Sequence, residues 1–424
     1  MNSRIHPLIN KTFYLGIIVF FVFGCALANG YSVSYVLLVL ASLFLIFKLR
    51  KLDSFYSMSR WDWALFLSLA IMVFISYAVS IYYGESGRFY DRPSKILLGL
   101  LIVYCLRFIH FEKWIFVLCV QLGAIVFGAF ALQDIFMFHF VRANGDMLEI
   151  HFGNFALVWG LASLITLFYL NELKPKSLYI LLGVFGFLLG LIASILSGSR
   201  GGWIYLPIGL LLVSLICIRP FKRSIFFLFT TSSILIIALF TFYQLNTNFQ
   251  TRVDLMVNTV FTKATNPSTL DTSILSRLEM WRLSADMIEQ KPLTGWGEVG
   301  YLEKMKSDYS KGLVSSNVYL HRHPHNEYIN EFVKRGIFGL LALIAVYFVS
   351  FTYFLKRALG KQNPLITLPA SIGVIFVSGY MVFGLTQAVF SHNEGTMYWI
   401  LGLGILWALT RNAENSHTRT NSSY

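Results

Sequence analysis

At 424 residues, with 56% apolar, 17% aromatic and 13% charged side chains, the chain carries about half the charge of a soluble domain. That composition excludes a disordered chain, a secreted disulfide scaffold and a soluble multidomain enzyme. The net charge of +13 falls mostly in short basic clusters between apolar runs, which is membrane topology rather than a nucleic-acid footprint, so no nucleic-acid partner is expected.

Twelve apolar runs follow one another along the chain: 13–29, 31–47, 63–83, 96–109, 114–138, 152–170, 178–196, 203–218, 225–245, 336–355, 366–390 and 396–409. A helix needs about 20 apolar residues to cross a bilayer. The pattern predicts an all-α integral membrane protein of about twelve transmembrane helices with one long, partly helical outer loop. Three regions result: nine helices over 1–245, the loop over 246–335, and three helices with a short tail over 336–424.

Basic residues set the orientation. With the N-terminus inside, inner segments hold 18 of the 34 Lys and Arg, short outer loops hold five, and the long loop holds the other 11. Both termini are therefore expected in the cytoplasm. Arg107, closing the fourth run, is expected to snorkel at an interface. The first run, preceded by Arg4 and Lys11 and followed by Ala26-Leu27-Ala28, also reads as a cleavable signal peptide. A retained helix is preferred because the apolar stretch reaches Asn29. Cys25, Cys105, Cys119 and Cys217 lie in apolar stretches without metal-ligand spacing and read as core residues.

Within the loop, Ile274, Leu278, Trp281, Ala285 and Ile288 recur at helical steps and predict an amphipathic helix, ended by Pro292, Gly295 and Gly297. A second helix is predicted from Asn326 toward Gly336. On this map six histidines (His139, His151, His321, His323, His325, His392) and two arginines (Arg200, Arg277) share the outer side. That face has no ATP, so a reaction there needs an already activated substrate. Arg200, in Ser197-Gly-Ser-Arg-Gly-Gly202, reads as an interfacial anchor or as an anion holder beside a helix start. Arg277 reads as a solvated helix residue, paired with Glu279 or Asp286, or as a second anion contact. His321-Arg-His-Pro-His325 admits a metal site, structural hydrogen bonding or general-base catalysis. No Cys or nearby carboxylate completes a metal set, and no metal or cofactor is expected.

The stretch His-Pro-His325-Asn326-Glu-Tyr-Ile-Asn-Glu-Phe-Val-Lys-Arg-Gly336-Ile-Phe-Gly339 resembles the signature of the bacterial O-antigen ligase family, the lipopolysaccharide ligases related to O-antigen polymerases. Other segments resemble the same family in the same order: Asp91-Arg-Pro-Ser-Lys95, Phe152-Gly-Asn154, Ser197-Gly-Ser-Arg-Gly201, Ser276-Arg277 with Trp281, Pro292-Leu-Thr-Gly295 and Ser391-His-Asn393. The resemblance implies a metal-independent, inverting glycosyltransferase. It would move a glycan from undecaprenyl diphosphate to a hydroxyl of lipid A-core at the periplasmic face of the inner membrane. It carries His325 over as the catalytic residue and Arg200 and Arg277 as diphosphate binders, with His323, Asn326 and Arg322 as possible support. A polymerase, whose acceptor is another repeat unit, is the alternative within the superfamily. A lipid-linked sugar flippase is the alternative from another class.

Overall fold

The computed structural model describes residues 7–24, 29–50, 58–171, 173–218, 221–245, 247–261, 272–319, 321–360 and 363–421. The Ala26–Leu27–Ala28 segment, on which the signal-peptide reading turns, and Cys25 lie outside them. Among the described residues the secondary structure is helical throughout, with no strand.

The helices are α1 (Pro7–Ile18, continued by a π-helical turn Val19–Phe23), α2 (Gly30–Arg50), α3 (Arg60–Tyr82), α4 (Asp91–Leu106), α5 (Lys113–Phe136), α6 (Glu149–Thr166), α7 (Lys176–Ser197), α8 (Arg200–Cys217) and α9 (Phe221–Leu245). Then come α10 (Thr247–Phe261), α11 (Thr272–Gln290), α12 (Gly297–Ser310), α13 (Ser316–Tyr319), α14 (Glu327–Leu359), α15 (Pro364–Phe383) and α16 (Asn393–Asn421). Each apolar run of the sequence meets one of these helices. Eight of them (α2, α3, α5, α6, α7, α8, α14 and α15) are long and apolar enough to cross a membrane by length and composition. This is a multi-pass helical membrane protein.

Helices α6 and α15 form its centre, with most of their residues buried. Around them Trp159, Phe376, Tyr380, Tyr398 and Trp399 build an aromatic core. Phe44, Phe74, Phe226 and Phe229 instead point outward and are among the most exposed large side chains. Apolar rings on an outer surface fit a hydrocarbon solvent, whereas a water-soluble chain would hide them.

Segment α11–α13 packs as a unit with its own small core of Met280, Met287, Tyr301, Met305, Val314 and Val318, closed by Val333 of α14. The predicted helix over 274–288 is α11, and Asn326 caps α14 by accepting from Ile329 N at 3.0 Å. Helix α12 was not foreseen. Its anchorage explains the Pro292-Leu-Thr-Gly295 motif: Pro292 O accepts from Ile337 N at 2.8 Å and Trp296 N donates to Val333 O at 2.9 Å. Both bonds straddle Gly336, whose φ of +66° breaks α14 and where a Cβ would fall 2.0 Å from Leu293 O. Only glycine fits both conditions.

One expectation is overturned. Arg107 does not snorkel: its side chain is fully buried, and Nη2 lies 3.3 Å from Asp62 Oδ2. Arg411 Nη2 reaches the same oxygen at 3.3 Å, and Trp407 Nε1 donates to Oδ1 at 2.9 Å. Asp62 sits just outside the run that begins at residue 63, so the run alone conceals the partner that makes burial tolerable.

Candidate active site

The site begins at the α7–α8 turn. Gly198 ends α7 in the left-handed region, at φ +65°, and turns the chain so that Ser199 and Arg200 open α8. Phe152-Gly153-Asn154 of α6 packs beneath: Ser199 Oγ donates to Asn154 Oδ1 at 2.7 Å, and a Cβ on Gly153 would meet Ser197 Oγ at 1.9 Å. Beside the turn, Asp134 at the end of α5 accepts from the backbone N–H of Asn144 and Gly145 at 2.8 and 2.9 Å. That clasp holds the neighbouring loop so that Arg142 Nε donates to Ser197 O at 2.7 Å.

Arg200 and Arg277 line one cavity of about 270 Å³, together with Arg142, Ile150, Gly198, Ser199, Gly201, Ser273 and Thr386. Three arginines and three hydroxyl-bearing residues line it, and no carboxylate is among the lining residues. Such a lining favours an anion with several oxygens, because guanidinium offers paired donors at fixed geometry.

The histidines stand next to this cavity. Trp281, one turn beyond Arg277 on α11, donates Nε1–H to Pro324 O at 2.7 Å and so pins the 321–326 segment beside its own helix. His325 lies at φ +49°, a left-handed backbone that is rare for a side chain of its size. Its Nδ1 faces Gln387 Oε1 at 2.5 Å and its Nε2 faces His321 Nδ1 at 3.1 Å. Asn326, besides capping α14, donates to Leu385 O at 3.1 Å, and Glu327 N donates to Gly384 O at 2.7 Å. These bonds set the 384–392 segment opposite His325. His323 is buried, with Nε2 3.1 Å from His392 Nε2. The His392 ring packs edge-on against His151, whose Nδ1 lies 3.2 Å from Glu394 Oε1.

Burial and nearby charge keep His323, His325 and His392 unprotonated. Burial, then the charge of Arg277 and the proximity of His321, push His325 down to about 3. Burial and His151 push His392 down to about 4, and burial with its histidine neighbours holds His323 far below the usual range. Imidazole without a proton can accept one.

A second polar set braces the segment from below. Burial would raise the Glu298 carboxyl, but Lys334 and Arg335, 2.7 and 2.9 Å from its oxygens, hold it at about 2. Arg335 and Arg92 share Glu331 at 3.0 and 2.8 Å, which ties the Asp91-Arg-Pro-Ser-Lys95 segment to α14. Lys334 Nζ also donates to Arg322 O at 3.1 Å, while the Arg322 side chain is exposed.

The fold thus brings Arg200, Arg277 and the 321–326 segment to one place. Arg142 and Gln387 escaped the sequence reading. Arg142 registered there only as one of a few outer-loop cations, and Gln387 sits in no motif.

Comparison with known proteins bears on the same residues. Residues 185–344 match the family model described as O-antigen ligase, a span that takes in Arg200, Arg277 and the whole 321–326 segment. The chain is also similar to an uncharacterized protein of Haemophilus influenzae, 25% identical over 394 residues, covering 92% of this chain and 96% of that one. The chain therefore carries, over residues 185–344, a segment that matches the O-antigen ligase family model, and the candidate site lies within or against it.

Proposed function

We propose that this protein is an O-antigen ligase, which transfers a glycan from undecaprenyl diphosphate to a hydroxyl of lipid A-core at the periplasmic face of the bacterial inner membrane. The observation that carries the reading is the arginine-lined cavity beside His325. Twelve spans, with both termini in the cytoplasm and the 246–335 loop outside, put this cavity where a lipid-linked donor presents its diphosphate.

Arg200 and Arg277 bind the diphosphate and stabilise the charge that collects on it as the anomeric C–O bond breaks. Arg142 is placed to share that load. The acceptor hydroxyl replaces His321 as the donor to His325 Nε2 and gives its proton to that nitrogen as its oxygen bonds to the anomeric carbon. The bonding pair leaves with the lipid diphosphate, and attack opposite it inverts the sugar. Donor binding also tunes the base: the bound dianion offsets Arg277, one cause of the depressed His325, and so raises its basicity when a proton must be taken. His323, Asn326 and Arg322 hold the segment through the contacts described above. Asp134, the clearest acidic residue for a polar path through the membrane, is occupied with backbone N–H groups, which favours an enzyme over a flippase.

The test is transfer by purified protein given lipid-linked glycan and lipid A-core, without added metal or ATP. Glycosylated lipid A-core is the expected product. Lengthened lipid-linked glycan instead would make the protein a polymerase. Neither product, with lipid-linked glycan gathering in the cytoplasmic leaflet of cells lacking the protein, would make it a flippase.

A further inference from the structure

The histidine cluster contains one donor whose direction admits no alternative, the backbone N–H of His325, and from it the proton positions of the cluster follow in sequence. That N–H points at His323 Nδ1, 3.3 Å away, so His323 Nδ1 carries the lone pair. A neutral His323 then bears its proton on Nε2. Nε2 lies 3.1 Å from His392 Nε2, which must therefore accept. Gln387 presents Nε2 to that same His392 nitrogen at 3.5 Å, and since the nitrogen accepts, the amide N–H₂ is correctly turned toward it. The Gln387 carbonyl must then face His325 Nδ1, at 2.5 Å, and that nitrogen must donate.

We infer that Gln387 is a positioning residue: its buried carboxamide, oriented through His392 and His323 by the backbone N–H of His325 itself, holds the His325 ring with its proton on Nδ1 and its lone pair on Nε2. The inference rests on the proposed role of His325 as the base and names what makes Nε2 its basic atom. Gln387 is 2% exposed, so water does not compete for either end of the amide. Because the carbonyl side is neutral, the ring is aimed without the charge that would make it permanently more basic. Other groups act on the same ring: Arg277 from α11, His321 and His323 from its own segment, and His392. Lys334 reaches His323 and His392, while His151 and Glu394 reach His392.

Two variants and two readouts test this. The first readout is the ¹⁵N spectrum of histidine-labelled protein in lipid nanodiscs, with His325 assigned by its loss in His325→Gln. Wild type should show His325 protonated on Nδ1, and Gln387→Leu should convert it to a mixture or to the Nε2 form. This measurement needs no activity, so it stands even if the transfer reaction proves to be another. The second is steady-state transfer. Gln387→Leu should lower kcat by on the order of 100-fold with KM for donor and acceptor little changed, since only ring aim is lost. Gln387→Glu should keep the aim, retain most of kcat, and move the acid limb of kcat/KM upward by about 1–3 pH units, because a carboxylate beside Nδ1 favours the imidazolium. An Nε2-protonated His325 in wild type, or both variants matching wild type in spectrum and pH profile, overturns the assignment. If the spectra change as expected but His325→Gln itself transfers at full rate, the tautomer assignment survives and the base reading falls.

Discussion

Two of the polar clusters among the described residues differ in what shares their space. In the first, every cation is matched to a carboxylate. Arg107 and Arg411 share Asp62, and Arg411 and Arg357 share Glu414 at 2.6 and 2.8 Å. In the second, three arginines line a cavity whose lining holds no acid, beside histidines kept unprotonated. The first pattern ties α3, α4, α14 and α16 together. The second gathers three guanidinium groups around one cavity, a lining whose paired donors suit an anion with several oxygens. A basic residue in this membrane protein is thus read by what shares its space, since Arg107 and Arg200 both border apolar runs and look alike in sequence.

The comparison breaks most sharply at His325. His325→Gln should insert normally and lose about 10²- to 10⁴-fold in transfer, because an amide holds position but takes no proton. Lipid-linked glycan should accumulate in the periplasmic leaflet. His323→Gln should lose less, since His323 accepts from the His325 backbone N–H and packs edge-on against its ring without hydrogen-bonding the ring nitrogens. The measurement is transfer in vitro on protein matched for membrane abundance. Full activity in His325→Gln would leave the second cluster as structural as the first.

Next in size are the cavity arginines. Arg200→Ala and Arg277→Ala should each cost roughly 10²-fold or more in kcat/KM if they hold charge that develops at departure. Lys at either place should restore only part, as it supplies a point charge without the paired donors. Normal rates in both Lys variants would remove diphosphate recognition from these side chains. The mirror experiment is Asp62→Asn in the first cluster. It strands Arg107 and Arg411 without their shared carboxylate, a change worth about 3–5 kcal/mol at a buried pair. Abundance and thermal stability should fall while transfer per folded molecule stays the same. An Asp62→Asn protein that is stable but inactive would mean that the two clusters are coupled.

These two regions were not equally legible. Arg200, Arg277 and His325 each lie in a short string whose neighbours serve the same turn or helix cap, as Gly198 and Ser199 do for Arg200, so local pattern reveals them. The Arg107–Asp62 pair spans 45 residues between helices, and a hydropathy run says nothing of what stands opposite its end. Gln387 is worse placed still: its meaning comes from His325, 62 residues earlier, through a contact set by the bonds of Asn326 and Glu327 to the carbonyls of Leu385 and Gly384. Helix α12 escaped because its apolar contacts, Tyr301 and Met305, are few, and its hold comes from Glu85 accepting the first N–H groups of the helix.

The smallest effect is the most discriminating, and it concerns pH. His325 is depressed to about 3 by burial, Arg277 and His321, so in the unliganded protein it stays unprotonated as pH falls well below 6.5. The sign follows: protonation opposes base function and the packing of the 321–326 segment, so both are kept at neutral pH. The packing weakens progressively as pH falls from the ordinary imidazole range toward the depressed value, and base function is lost as pH passes through that value. The pH dependence of kcat/KM reports free enzyme and that of kcat reports the complex. Bound diphosphate counters Arg277, so the acid limb of kcat should lie above that of kcat/KM, by about one pH unit or more for an opposite charge at this range. Arg277→Gln, which removes the cation itself, should raise the kcat/KM limb toward the kcat limb and shrink the gap. The first cluster predicts no such behaviour, because its cations are already neutralised by Asp62 and Glu414 whether or not substrate is bound. Steady-state profiles carried from neutral pH down past the depressed His325 value decide the matter. Coincident limbs in wild type, unmoved by Arg277→Gln, would mean that the arginine and the histidine do not share a field, and that the cavity and the base are separate features of one surface.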